Sequence, residues 1–246
     1  MSKKIQFINF GSSDVLEEYR PVPARSMIPG WYKKQSSYVD DVKEIYVDKN
    51  YGFTSASVKK CMPVFDSITA GYLLVTTQDI TVFYKNGQRM WRWSNEDATA
   101  IDFQSVSQAN EMPVVKKHIE ETLEVPKFFG SWGIKTPSGY SCMFINPMHK
   151  EQDIFNIIEG IVDTDKYWQP ISFPFVLLQE DWQGTIPAGT PITQIIPFKR
   201  DNWFLKIETK ESNPKLYKEV KKKVTLNKSK FWDSYKSFFW SKKSFK

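Results

Sequence analysis

The run from Ile158 to Arg200, IEGIVDTDKYWQPISFPFVLLQEDWQGTIPAGTPITQIIPFKR, restricts the possible folds more than any other part of the chain. It reads as a turn bearing carboxylates (Gly160 to Asp165), followed by strand, turn and strand. The closing IPAGTPITQIIPF puts Pro and Gly in a tight connection just ahead of a buried strand. That layout belongs to all-β sandwiches. Composition agrees: 15% of the residues are aromatic, including nine Trp and eighteen Phe, and there are 14 Pro. Such a chain favours strands and irregular connections over a helical bundle. Its 246 residues are enough to bury a sizeable core.

No apolar run reaches the ~20 residues that span a bilayer, and the opening MSKKIQF lacks the apolar stretch of a signal peptide. Cys61 and Cys142 are the only cysteines. Two isolated thiols frame neither a disulfide scaffold nor a zinc site, so a reducing cytoplasm and no metal are expected. The net charge of +6 is unevenly spread. From Lys206 onward, 13 Lys face Glu208, Glu211, Glu219 and Asp233, giving +9 and leaving −3 on the first 205 residues. Polyanion contact, if the chain makes any, belongs to the C-terminus.

Local signals place the elements. Residues 4–10 alternate as a first strand, and Arg20 to Gly30, with three prolines, reads as an ordered connection or extended arm. Val39–Val47 is a short amphipathic piece, and Val58 to Val75 is mainly apolar, interrupted at Pro63 and at Ala70-Gly71. Ile80–Tyr84, Lys85-Asn86-Gly87 and Gln88–Trp93 form the clearest signal, a β-hairpin whose Asn-Gly pair suits a type I′ turn. Residues 94–113 read as loop, Pro113–Leu123 as a short helix, and Phe128 to Phe198 as a strand-rich stretch. Ser212-Asn213-Pro214 starts a helix with Leu216, Val220 and Val224 on one face. Lys228–Phe245 reads as a second helical piece with an aromatic stripe of Phe231, Tyr235, Phe238 and Phe239, flanked by Trp232 and Trp240.

Three segments, in order, resemble motifs of the trimeric dUTPase and dCTP-deaminase superfamily, a distorted β-jelly roll. Thr69-Ala70-Gly71-Tyr72-Leu73-Leu74 is similar to its first motif, Gly160 through Tyr167 to its third, and Gly189 through Ile196 to its fourth. The resemblance implies Asp163 as the base that activates the hydrolytic water and Tyr167 as the side chain packed on base or sugar, with magnesium. It places Lys135, Ser138 and Gln194 as ligand-binding candidates. The sequence departs from the family where phosphate chemistry is done. Leu73 replaces the metal-associated Asp, Lys135–Tyr140 lacks the phosphate-binding Arg, and the Gly-rich arm is replaced by Lys and aromatics. Phosphoryl transfer depends on positioning and charge neutralisation, so those losses argue against catalysis.

The chain also resembles an uncharacterised family of tailed phages and bacteria, a domain of unknown function, over about residues 15 to 200. The segments that carry this are Cys61–Asp66 with Thr69–Tyr72, Gly133–Ser141, and Glu159–Asp165. The two histidines, His118 and His149, have no metal-ligand partner at helical spacing. Asp163 with Asp165 reads either as a carboxylate pair or as ordinary turn chemistry.

The sequence therefore predicts a mainly β body over residues 1–205, a sandwich or distorted jelly roll of the dUTPase kind, and a basic, aromatic-rich helical tail over 206–246. The favoured function is that of a non-catalytic, phage-encoded binding or structural protein without cofactor. It would act through a protein partner or self-association, in the host cytoplasm or on the virion, with Phe231, Trp232, Tyr235, Phe238 and Phe239 at the contact. The runner-up is the dUTPase-like enzyme, with magnesium. A third reading is nucleic-acid or membrane binding through the tail.

Overall fold

Residues 80–93 form the hairpin that Asn86-Gly87 specifies, with φ of 52° and 77° at the two turn residues. Positive φ at both positions matches the twist of the flanking strands, which is why Asn and Gly stand there. The computed structural model containing this hairpin describes residues 3–11, 17–39, 56–105, 112, 113, 115, 124–228 and 233–246. The expected pieces at Val39–Val47 and Pro113–Leu123, and the side chains of Phe231, Trp232 and His118, lie largely or wholly outside them.

The chain divides into two compact units. The first comprises Met1–Met27, Gly71–Arg200 and Phe245; the second comprises Ile28–Ala70, Asp201–Ser244 and Lys246. The sequence drew its boundary between Leu205 and Lys206. In the structure the strand-bearing unit closes at Arg200, and the segment from Asp201 groups with Ile28–Ala70.

The first unit is mainly β. Its strands begin with β1 (Gln6–Asn9), β2 (Val22–Pro23), β3 (Tyr72–Val75), β4 (Ile80–Lys85) and β5 (Gln88–Trp93). They continue with β6 (Ile101–Ser105), β7 (Glu124–Phe128), β8 (Trp132–Lys135), β9 (Tyr140–Ile145) and β10 (Phe155–Ile157). The last four are β11 (Gly160–Val162), β12 (Phe173–Leu177), β13 (Gly184–Ile186) and β14 (Pro191–Lys199). All pair antiparallel, in four sheets: β1-β8, β10-β12-β7-β6, β11-β9-β14-β3-β2 and β13-β4-β5. The run from Ile158 to Arg200 supplies β11 to β14, so the strand-turn-strand reading of its later part holds, but the turn expected over Gly160–Asp165 begins only at Asp163, because Gly160–Val162 pairs with β9 as β11. Residues 101–105 correct the expected loop over 94–113: Ile101 is buried and the segment pairs with β7 along its whole length. Its alternation of Ile, Asp, Phe and Gln was the missed strand signal.

The core of this unit is aromatic. Phe128, Phe155 and Phe175 are buried, and the rings of Phe128 and Phe175 stack with centroids 4.1 Å apart. Each buried ring contributes roughly 1.5–3 kcal/mol of hydrophobic stabilisation. β14 is the central strand of the five-stranded sheet, and Thr193, Gln194 and Ile195 are buried in succession, so both of its faces are covered. Gly71 permits the close approach of β3 to β14. It sits at φ +69°, and a Cβ there would lie 1.9 Å from the Ile195 carbonyl oxygen.

The second unit carries the helices α1 (Gly30–Lys34), α2 (Met62–Thr69) and α3 (Pro214–Lys228). Pro63 lies in the first turn of α2, where its missing N–H costs nothing; the sequence had read it as an interruption. Tyr32 of α1 packs against Phe65 of α2 at 6.3 Å. α3 starts where Ser212-Asn213-Pro214 predicts, with the Asn213 side chain accepting the Leu216 N–H at 3.0 Å. Beyond it, the expected helix over Lys228–Phe245 is represented among the described residues by one π-helical turn, Tyr235–Phe239. No helix among the described residues is long and apolar enough to cross a membrane.

Candidate functional site

The carboxylate-bearing turn after β11 and the turn between β8 and β9 meet at one end of the five-stranded sheet. Thr136 N–H donates to the Thr164 carbonyl at 3.1 Å, and Gly139 N–H donates to Asp165 Oδ2 at 2.8 Å. Beneath them the Thr136 and Thr164 hydroxyls share a buried hydrogen bond of 2.8 Å, and Thr164 also donates to Cys142 Sγ at 3.3 Å. Burial pushes the Cys142 thiol up to about 11, so it is not a nucleophile at neutral pH.

Arg200, the residue after β14, organises the site. Its Nη1 donates to Asp165 Oδ1 (2.9 Å), Ser141 Oγ (2.8 Å), the Tyr140 carbonyl (2.9 Å) and Asp163 Oδ1 (3.1 Å), while Nη2 donates to Asp165 Oδ2. The grip on Asp165 is therefore bidentate, the geometry that a planar guanidinium favours. The Arg200 fork and the Gly139 amide hold the Asp165 carboxyl down at about 2. Asp163 is more exposed, yet its Oδ1 accepts from both Ser141 Oγ (2.7 Å) and Arg200. That oxygen is turned inward onto the protein.

The sequence-derived candidates fall in three places. Lys135, Ser138, Asp163 and Tyr167 lie at this end of the sheet, on the two turns or beside them. There Lys135 Nζ sits 3.7 Å over the Trp168 ring, and Tyr167 N–H donates to the Asp163 carbonyl. Gln194 is elsewhere: six residues before Arg200 on β14, it is about 20 Å away along the strand. It is buried, its Oε1 accepts Met148 N–H at 2.9 Å, and it faces Leu73 in register. Tyr235, Phe238 and Phe239 occupy the π-helical turn and are part-exposed. His149 sits in a turn at φ +57°. Among the described residues no cluster of three or more His, Cys, Asp or Glu could hold a metal ion.

A surface that the sequence did not single out lies just past Arg200. Trp203, Phe204 and Leu205 are 90%, 92% and 90% exposed, and Ile207 follows at 78%. Residues 201–208 form no helix or strand, and every residue of α3 is exposed, including the stripe of Leu216, Tyr217, Val220 and Val224. The signal that could have found this surface is Trp-Phe-Leu standing where the composition turns basic. The sequence reading only includes these residues at the end of the β body, which it draws to 205.

Chemically, the Arg200 cluster is a pin that closes two turns onto a strand end, and the arm beyond it is an apolar surface in water. Comparison of the chain with protein-family models and with curated proteins finds no match.

Proposed function

We propose that this protein is a non-catalytic binding or structural protein of the kind phages encode, and that it works through protein–protein contacts made by the arm over residues 201–228. The exposure of Trp203, Phe204 and Leu205 carries the reading. Apolar side chains of this size, contiguous and open to water, mark interaction sites. An isolated helix of 15 residues is marginal in water, so α3 gains its stability by docking its stripe. The engagement of Asp163 Oδ1 by Ser141 and Arg200, and the burial of Gln194, support the non-catalytic half of the proposal.

The finer architecture, a distorted jelly roll of the dUTPase kind, belongs to the same proposal. Its support is that the three resembling segments fall on β3, on β11 with its turn, and on β14, which share one sheet. Two experiments test the function. A photoreactive benzophenone side chain placed at Phe204, in the full chain in producing cells, is expected to give adducts with polypeptide; no adduct would remove the contact reading. With dUTP or dCTP and magnesium no turnover is expected, and turnover that disappears in Asp163→Ala would make the protein an enzyme.

A further inference from the structure

The hairpin of β4 and β5 borders a cleft built from residues outside both the arm and the Arg200 cluster. About 220 Å³ in volume, it is lined by Trp91, Arg92 and Trp93 of β5 and by Glu96 on the turn that follows. β5 is the outer strand of its sheet, paired only with β4 among the described strands, so the cleft lies along an open strand edge. Its volume is below the roughly 300–1,000 Å³ of a pocket for a drug-sized molecule, which limits the occupant to a small head group.

Strand alternation sorts the lining side chains. Trp91 and Trp93 share the inner face, where their cross-strand neighbours Val82 and Ile80 are buried. Both indoles pack on the core, and Trp91 meets Phe175 edge to face at 5.7 Å, so these walls are held in place. Arg92 belongs to the opposite face, where its guanidinium stands 5.9 Å from the centre of the Phe83 ring. Glu96 is thereby left without a cation: its carboxylate makes no ion pair or hydrogen bond among the described residues. Asp97 beside it adds a second negative charge. The turn itself is fixed. Buried Gln78 accepts the Asn95 N–H on Oε1 at 2.7 Å and donates from Nε2 to the Ala98 carbonyl at 2.8 Å, clasping Glu96 between them.

We propose that this cleft binds an alkylammonium head group, with Trp91 and Trp93 as its walls and Glu96 as its counter-ion. The site uses none of residues 201–228 and does not rest on the protein-contact reading. An indole face is the best aromatic surface for a cation, and the attraction reaches to about 6 Å from the ring centre. Two residues apart on a strand, the two side chains leave the backbone roughly 7 Å from each other, so one cation between them lies within reach of both. An anion would meet Glu96 and Asp97, and a neutral ligand would cover the Glu96 carboxylate without pairing it. A methylated ammonium satisfies every wall, because its methyl groups are apolar against the indoles while its charge answers Glu96.

The test titrates the full chain by calorimetry with choline, whose head is a trimethylammonium ion, and with its uncharged tert-butyl isostere. Choline is expected to bind at least about tenfold more tightly than the isostere. Glu96→Gln should weaken choline about tenfold and leave Tm unchanged, because that side chain is exposed and bonds to nothing. Trp93→Phe, which keeps an aromatic wall with a poorer face, should weaken it about threefold. Arg92→Gln removes a like charge and should not weaken it. A trimethyllysine peptide and a phosphatidylcholine vesicle are then set to compete with choline, and whichever displaces it at lower concentration shows whether polypeptide or lipid carries the head group. No saturable choline binding, equal affinity for the isostere, or a loss in Arg92→Gln matching that in Glu96→Gln overturns the proposal. Each of those results leaves the reading of residues 201–228 standing, since the Phe204 adduct tests it separately.

Discussion

Asp165 lies under Arg200 with both carboxylate oxygens engaged, one of them also accepting the Gly139 amide. This pin should make the fold acid-sensitive in a defined window. The carboxyl titrates near 2 in the folded chain against ~3.9 when unfolded, so between those values the unfolded chain binds more protons. The stabilisation is complete above about pH 4 and is lost as pH falls through 2. Thermal melts of Asp165→Asn and the parent should converge at pH 2 and separate above pH 4. A constant gap across that range would refute the pin.

Asp163 offers the internal control. It shares Arg200 but is half exposed, so Asp163→Asn should lower Tm less than Asp165→Asn at pH 7. The reverse order would place the structural weight on the wrong carboxylate.

Phe175→Ala should cost about 3–5 kcal/mol in urea unfolding, the range for a fully buried ring. It removes the stack on Phe128 and edge contacts to Trp91 and Phe155. A loss under about 1 kcal/mol would mean that this cluster is not the core of the unit.

Gly71 and Gly87 share positive φ but not surroundings. A Cβ at Gly87 meets nothing within 4 Å, whereas one at Gly71 runs into the Ile195 backbone. Gly87→Ala is expected to cost about 1–2 kcal/mol from conformation alone, and Gly71→Ala distinctly more, by chemical denaturation. Equal costs would show that β3 does not approach β14 this closely.

Burial lowers the Lys150 ammonium to about 8, although Asp153 and Glu159 oppose the shift. For a lysine lowered on folding, the unfolded chain binds more protons between pH 8 and ~10.4, so stability rises with pH across that window. Below pH 8 the cost is fully present. Relative to Lys150→Met, the parent should gain stability between pH 8 and 10, read by urea midpoints. A pH-independent difference would contradict the burial of this amine.

What could be read in advance was local. Asn86-Gly87 and Ser212-Asn213-Pro214 encode their turn and helix start through their own dihedrals and side chains, and Pro and Gly bounding apolar runs mark the strands of 158–200. α2 was hidden because Pro63 was read as a breaker, although the first helical turn accepts it. The Arg200 pin needs residues 139, 141, 163, 165 and 200 to converge, which no short window contains. Asp163 was singled out by its place in a motif, whereas its hydrogen bonds to Ser141 and Arg200 were not legible. Trp203 to Leu205 show the same limit from the other side, since hydrophobicity alone does not distinguish a buried segment from a bare one.

The position of β14 has a mechanical consequence. It is the strand directly upstream of the arm, and it is held on one side by β9 and on the other by β3. A pull applied along it through the residues beyond Arg200 loads both ladders in shear, with their hydrogen bonds strained together instead of peeled one after another. The arm is thus tethered to the part of the sheet best able to bear tension.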